Sequence, residues 1–268
     1  MVGEPMSITF EGVAKHYGEH VAVENVSFEI PSGTTTVLLG SSGSGKTTLL
    51  RMVNRMVDPS AGRVLIDDTD VASVDPVELR RKIGYVMQSG GLMPHWTVED
   101  NVATVLRLNG ASKSEARAKA RDLLDVVGLD PSVGRRYPSQ LSGGQRQRVG
   151  VARALAPDPN ILLMDEPFGA VDPIQRKVLQ EETARLQRDL NKTVLFVTHD
   201  VDEALSLGDE IVVLRPGGVI AQRDTPDRLV AQPADEFVEG FLGARSNLRV
   251  EGQVVVDDAG RVVGKLAP

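Results

Sequence analysis

Gly40-Ser41-Ser42-Gly43-Ser44-Gly45-Lys46-Thr47 fits the pattern G-x-x-x-x-G-K-[ST], and no other stretch restricts the fold as strongly. Thr34 to Leu39 precedes it, β-branched and apolar without a polar break, as a strand buried on both faces should be. TTLLRMVNRM follows with helical spacing. Strand, glycine loop and helix in that order make a cradle for phosphate. The glycines let successive backbone N–H groups converge on phosphate oxygens with no Cβ in the way. The helix N-terminus adds its partial positive charge. Lys46 is placed to reach the β- and γ-phosphates of a nucleotide, and the Thr47 hydroxyl to ligate Mg²⁺.

Ile161-Leu162-Leu163-Met164-Asp165-Glu166-Pro167 is an apolar run that ends in two carboxylates. In a chain with a phosphate loop, an aspartate at such a strand end holds Mg²⁺ through water, and Asp165 fits that role. Glu166 lies one residue further, outside the strand, where it can orient and deprotonate an attacking water.

The rest of the chain alternates. Ser7 to Phe10 reads as a strand followed by a polar turn, and Val21 to Ile30 as a second strand. Glu78 to Lys82 is a short helix, Ile83 to Met87 a strand and Val98 to Leu108 a helix. Lys113 to Val127 is strongly helical, with Ala116, Ala120, Leu123, Leu124 and Val127 on one face. Gly128 is placed to stop it. Beyond ILLMD come a helix from Pro173 to Leu190, the buried strand TVLFVTH, a short helix from Asp202 to Leu207 and the strand EIVVL. Strands alternating with helices imply a mostly parallel sheet covered on both faces. After Gly243, VVVDDAGRVV reads as two short strands around a turn.

Composition removes several function classes. The 268 residues include no cysteine, which excludes disulfides, thiolate metal sites and a cysteine nucleophile. A net charge of −7 argues against a nonspecific grip on nucleic acid. No run approaches the ~18 consecutive apolar residues of a membrane span. The start, MVGEPMSITF, lacks the pattern of a signal peptide. Work at a membrane is therefore expected from the cytoplasmic side, through a partner.

Leu141-Ser142-Gly143-Gly144-Gln145 spells LSGGQ and continues RQRVGVARALA. Here the chain resembles the ATP-binding-cassette (ABC) ATPases, whose signature is this pentapeptide between the phosphate loop and the acidic strand. Other elements follow in family order. Gln88 resembles the Q-loop glutamine that touches the metal and senses the γ-phosphate. Gly169-Ala170-Val171-Asp172 resembles the D-loop, with valine where leucine is usual. His199 matches the switch histidine, and Tyr17 stands where an aromatic residue stacks on adenine. The resemblance implies catalytic roles for Glu166, His199 and Gln88, and a metal held by Thr47, Gln88 and Asp165. It implies nucleotide contacts from Tyr17, Gly40, Ser41, Ser42, Gly43, Ser44, Gly45, Lys46, Thr47 and Thr48. It also implies a nucleotide contact from Asp172 and, on the partner's nucleotide, contacts from Ser142, Gly143, Gly144 and Gln145. ATP and Mg²⁺ are the implied ligands.

The implied fold is α/β: a P-loop NTPase core with a mostly parallel sheet, an N-terminal antiparallel β subdomain and a helical, signature-bearing subdomain. Residues 7–243 form the nucleotide-binding domain in this reading, with a helical insertion at about 89–158. Residues 244–268 form a short extension that resembles one strand-turn-strand piece of a cystathionine-β-synthase-type regulatory repeat. Ser142, Gly143 and Gly144 precede a helix and so make a second anion site, which one nucleotide cannot easily share with the first. In the family two subunits pack head to tail, as a homodimer or with a paralogous cassette, and each signature completes the other's ATP site. For Arg146, Arg148 and Arg153 a solvated helix face is the expectation.

Met93 and Trp96 beside Pro94 form an apolar cluster suited to docking a membrane permease. The wording of SGGLMPHWTVEDNV and DTPDRLVAQPADEFVEGFLG is similar to osmoprotectant importers for glycine betaine, choline or carnitine. That resemblance implies a motor at the cytoplasmic face of the plasma membrane, served indirectly by a substrate-binding protein. Motors for amino acids or another small solute, and a cell-division cassette, are the other readings.

Overall fold

The computed structural model describes residues 5–88, 90–169, 180, 192–243, 249–251, 254–256 and 262–265. Strands β1 (Ile8–Tyr17) and β2 (His20–Ile30) form an antiparallel hairpin, with Ile8 opposite Ile30 and Tyr17 opposite His20. The stretch expected as a polar turn after Phe10 instead continues β1. Register shifts between Phe10 and His16 absorb it, and Gly12 at φ +57° supplies the left-handed kink that a bulge needs. Val13 and Ala14 are buried beyond the kink.

The phosphate-loop segment folds as expected, with β3 (Thr35–Gly40) feeding α1 (Lys46–Val53). Next come β4 (Ala61–Ile66) and β5 (Thr69–Asp70), which join the hairpin in a four-stranded sheet of order β2-β1-β4-β5. The sequence reading missed β4 because only Val64 and Ile66 are buried in it.

After α2 (Pro76–Lys82) and β6 (Ile83–Val86) the chain turns helical, through α3 (Val98–Val102), α4 (Thr104–Leu108), α5 (Lys113–Val126) and α6 (Gly143–Leu155). The single helix expected over 98–108 breaks at Ala103. Beside the break, the Thr104 hydroxyl donates to the Asp100 carbonyl at 2.9 Å, a back-bond that bends helices. Helix α5 starts on a capping box between Ser112 and Glu115, and its Ala116–Ala120–Leu123–Leu124 face is buried as expected.

The remaining described elements are β7 (Ile161–Asp165), β8 (Thr193–Thr198), α7 (Val201–Leu207), β9 (Glu210–Arg215), β10 (Val219–Asp224), α8 (Pro226–Ala231) and α9 (Glu236–Gly243). The expected helix from Pro173 to Leu190 lies outside the described residues except for Gln180, which is helical. Three short strands, β11 (Arg249–Glu251), β12 (Val254–Val256) and β13 (Val262–Lys265), pair antiparallel in that order. The last two are the pair read around the Asp257-Asp258 turn, and the first was not foreseen.

The second sheet runs β10-β9-β3-β8-β7-β6, parallel throughout except for antiparallel β10 at one edge. Apart from the edge strand β10, its strands are buried on both faces, and the side chains alternate between two cores. Leu38, Leu163, Leu195 and Val212 meet Phe10, Phe28, Leu49 and Leu50 of α1 and the antiparallel sheet. Val37, Leu162, Phe196 and Ile211 meet a cluster with Val102, Leu124 and Val149 of the helical arm. Each such buried side chain contributes about 1.5–3 kcal/mol, so both layers are held to the sheet. Parallel strands also end together. The carboxyl ends of β3, β6, β7 and β8 therefore form one rim, where ligands bind in open α/β sheets.

Candidate active site

The phosphate loop leaves that rim between β3 and α1. Gly43 (φ +81°) and Gly45 (φ +82°) take left-handed conformations that favour glycine. A Cβ at Gly45 would also lie 2.6 Å from Ala22 O, so the β1–β2 hairpin packs directly on the loop. Gly45 is the N-cap of α1, and no side chain caps the helix there. The first N–H groups of α1 thus have no intrahelical acceptor, which is what an anion site requires.

Lys46 is buried and folds back over its own loop. Its Nζ donates to Gly40 O and to Ser41 O, each at 2.7 Å. Burial pushes its pKa below the usual lysine value, against the pull of Glu166 and Asp165. A phosphate would supply the counter-charge that this ammonium lacks. Ser44 Oγ donates to Ser41 O at 2.9 Å and braces the turn, while Ser41 and Ser42 are exposed at its tip. Thr48 follows Thr47 in the first turn of α1.

Asp165 ends β7 at 4% exposure, and its two oxygens have different partners. Oδ1 accepts from Thr47 Oγ1 at 2.8 Å. Oδ2 accepts from Tyr85 Oη at 3.2 Å and lies 3.5 Å from Arg51 Nη2. The next residue, Glu166, holds φ +43°, an uncommon backbone for glutamate and a form of local strain that gathers at functional sites. The turn aims its carboxylate along the rim. Oε2 accepts from Gln88 Nε2 at 2.8 Å and lies 3.3 Å from His199 Nδ1. The three side chains expected to be catalytic are thus gathered around one carboxylate oxygen, and one of them, Gln88, is also an expected metal ligand with Thr47 and Asp165.

The donor set suits a hard cation. A hydroxyl, a carboxylate and the Gln88 amide are oxygen ligands, and Mg²⁺ is commonly held by one or two carboxylates with substrate phosphates. Among the described residues no group of three His, Cys, Asp or Glu side chains could hold a metal unaided.

The signature lies on the helical arm. Ser142 caps α6, its Oγ accepting from Gln145 N at 3.2 Å while Gln145 Oε1 accepts from Ser142 N at 3.0 Å. The polar side chains of the pentapeptide are thus occupied locally. Gly143 and Gly144 leave the first N–H groups of α6 open. Among the described residues no hydrogen bond joins Ser142–Gln145 to the phosphate loop.

Tyr17 is 51% exposed at the hairpin end, with Lys15 Nζ 5.1 Å from its ring centroid. Asp172, with Ala170 and Val171, lies outside the described residues. The solvated-face expectation for the α6 arginines needs correction. Arg148 Nη1 donates to Val127 O and Gly128 O at the end of α5, and Arg153 grips Gly90 and Gly91. Only Arg146 is exposed, and it too donates to Leu141 O at 2.6 Å. Arg51 and Tyr85 escaped notice as well. Arg51 stands one helical turn after Thr47, a spacing that places it over the same rim.

The ABC transporter family model matches residues 23–169, from the hairpin through the acidic strand. The chain belongs to the ABC transporter ATPase family. The choline transport ATP-binding protein OpuBA of Bacillus subtilis (strain 168) is 51% identical over 237 residues. That alignment covers 88% of this chain and 62% of the relative, so the ABC chain spans less than two thirds of that protein's length. The glycine betaine uptake system ATP-binding protein YehX of Escherichia coli (strain K12) is 46% identical over 243 residues, covering 91% of this chain and 78% of the relative. Among solved structures, a dimeric post-hydrolysis state of the ATP-binding cassette MJ0796, bound to ADP and Pi, superposes with a TM-score of 0.73. It is 34% identical and covers 82% of this ABC chain and 98% of its own.

Proposed function

We propose that this chain is the ATP-binding and ATP-hydrolysing motor of a bacterial importer for quaternary-amine osmoprotectants such as glycine betaine, choline or carnitine. The observation that carries the substrate class is the 51% identity to a choline transport ATP-binding protein. Support for the chemistry is the meeting of Gln88, Glu166 and His199 at one oxygen beside the phosphate loop.

In this reading Gly40 to Thr48 and Tyr17 hold ATP, and Lys46 releases its loop carbonyls to meet the β- and γ-phosphates. Thr47, Asp165 and Gln88 hold Mg²⁺, which neutralises developing phosphate charge when bound. Tyr85 and Arg51 keep the far oxygen of Asp165 in place. Glu166 accepts the proton of the attacking water, Gln88 fixes that carboxylate and His199 completes the rim. Water attacks the γ-phosphorus, the bond to the bridging oxygen breaks, and ADP and phosphate leave.

Two chains pack head to tail, so that Ser142 to Gln145 of each meet the other's nucleotide, and Asp172 is a further nucleotide contact. Separate anion sites in one chain support that arrangement. Residues 7–243 act as the nucleotide-binding domain with its helical insertion at 89–158, and 244–268 as an extension. The permease docks near Met93 and Trp96, 47% and 36% exposed, on a loop that buried Asn101 pins through Met93 N, Met93 O and Trp96 O. A separate groove of about 190 Å³, lined by Met56, Tyr85, Met87, Val105 and Arg153, lies between the core and the helical arm. Among the described residues no helix is long and apolar enough to cross a membrane. A peripheral place on the cytoplasmic face, with a substrate-binding protein on the other side, follows from the reading.

Uptake of labelled choline and glycine betaine tests it, in cells that rely on this chain and its permease. Lys46→Ala should abolish uptake. Uptake of an amino acid that fails with Lys46→Ala, while quaternary amines were never carried, would overturn the substrate class.

A further inference from the structure

Arg153 stands in the last turn of α6, the helix that the signature opens. Its Nη1 donates to Gly91 O at 2.6 Å and its Nη2 to Gly90 O at 2.9 Å. No carboxylate pairs with it among the described residues, and burial pushes its pKa below the usual arginine value. Keeping a part-buried cation with neutral partners alone is costly, so the two carbonyls are a specific demand rather than a convenience.

The loop is shaped to meet that demand. Gly90 (φ +71°) and Gly91 (φ +55°) are consecutive left-handed residues, and their carbonyls reach the two arms of one guanidinium. A Cβ at Gly91 would lie 2.4 Å from Met87 Cε, and one at Gly150 of α6 would lie 3.5 Å from Gly90 O. Gly90 N also donates to Met87 O at 2.8 Å, closing a turn with Gln88 inside it. Two backbone steps, at most about 7 Å of chain, separate Gln88 from the gripped carbonyl of Gly90.

We infer that Arg153 is a positioning residue for Gln88, fastening the turn that carries it to the signature helix. The inference rests on the reading of Gln88 and Glu166 as hydrolytic residues. A displacement of α6 by about one ångström would stretch the Gln88–Glu166 hydrogen bond past its useful range, because the short tether cannot absorb it. The signature helix thereby sets whether the Glu166 carboxylate is held.

A double-mutant cycle on the full chain tests this, reading single-turnover ATP hydrolysis and ATP affinity for Arg153→Met, Gln88→Ala and the pair. Arg153→Met should slow hydrolysis about 10- to 100-fold and leave ATP affinity within about two-fold. In the Gln88→Ala background it should add less than about two-fold. Arg153→Lys, which keeps the charge without the fork, should fall between wild type and methionine. It carries the cycle if melting shows that Arg153→Met is unfolded. Losses that multiply in full, or weaker ATP binding at unchanged hydrolysis, would overturn the inference. Unchanged hydrolysis in Gln88→Ala alone would instead overturn the reading of Gln88, and the inference with it.

Discussion

Gln88 and Glu166 are 78 residues apart in sequence and 2.8 Å apart in space. The bond joins the loop after β6 to the end of β7, neighbouring strands whose parallel pairing sets Val86 beside Met164. Glutamine contributes an N–H donor here, which occupies one carboxylate oxygen and leaves the other oxygen of Glu166 for a water.

Glu166→Gln should therefore slow ATP turnover by about 10²–10⁴-fold while nucleotide binding persists. The amide keeps the shape of the side chain but cannot take a proton, and Lys46, Thr47 and the loop N–H groups are unchanged. Size-exclusion chromatography should show a dimer with ATP that ADP does not support. Slow turnover with no ATP-dependent dimer would leave Glu166 as a structural acid. A trapped dimer with normal turnover would move the base elsewhere.

Trp96→Ala should impair transport by the assembled complex while the chain's own ATPase rate stays within about two-fold, since truncating an interface anchor costs about 2–4 kcal/mol of binding. Trp96 is partly exposed, and Asn101 still pins its loop. A large fall in melting temperature, or loss of basal hydrolysis, would show that the ring serves the core instead.

Asp100 and Arg117 give the helical arm a pH-dependent clasp. Arg117 donates from Nε to Asp100 Oδ1 at 3.0 Å and from Nη2 to Oδ2 at 2.8 Å. These bonds hold the Asp100 carboxyl below the usual carboxylate range. A carboxyl lowered on folding stabilises above its unfolded pKa, and that contribution is lost as pH falls through the folded value. Arg117→Met should lower the melting temperature by about 2–5 °C at pH 7, and the gap to wild type should close in acid. A gap that stays constant or widens as pH falls would rule out this clasp.

The parallel strands were legible because burial on both faces writes itself as an unbroken apolar run, as in ILLMD and TVLFVT. The phosphate loop, acidic strand end and signature were legible because each needs particular residue types at fixed spacing. Strands with mixed exposure were not. The far half of β1 hides Val13 and Ala14 among polar neighbours, and β10 has no fully buried residue. The break at Ala103 is accompanied by a threonine back-bond, which a hydrophobic pattern does not register. Arg51, Tyr85 and Arg153 were missed for a related reason. Their partners lie on other strands or loops, so only the folded chain shows what an ordinary surface residue type is holding.

The capping box at the start of α6 has a consequence for how this surface can drift over generations. Ser142 and Gln145 satisfy each other's backbone, so the groups left facing outward are peptide N–H groups. Peptide groups are common to nearly every residue, and a substitution that keeps the cap and the small side chains leaves them in place. Glu166 has no such freedom, because the function proposed for it resides in a side chain carried on a backbone that glutamate rarely adopts. Of the two halves of the proposed composite site, one is written in the main chain and tolerates change, while the other depends on a single carboxylate.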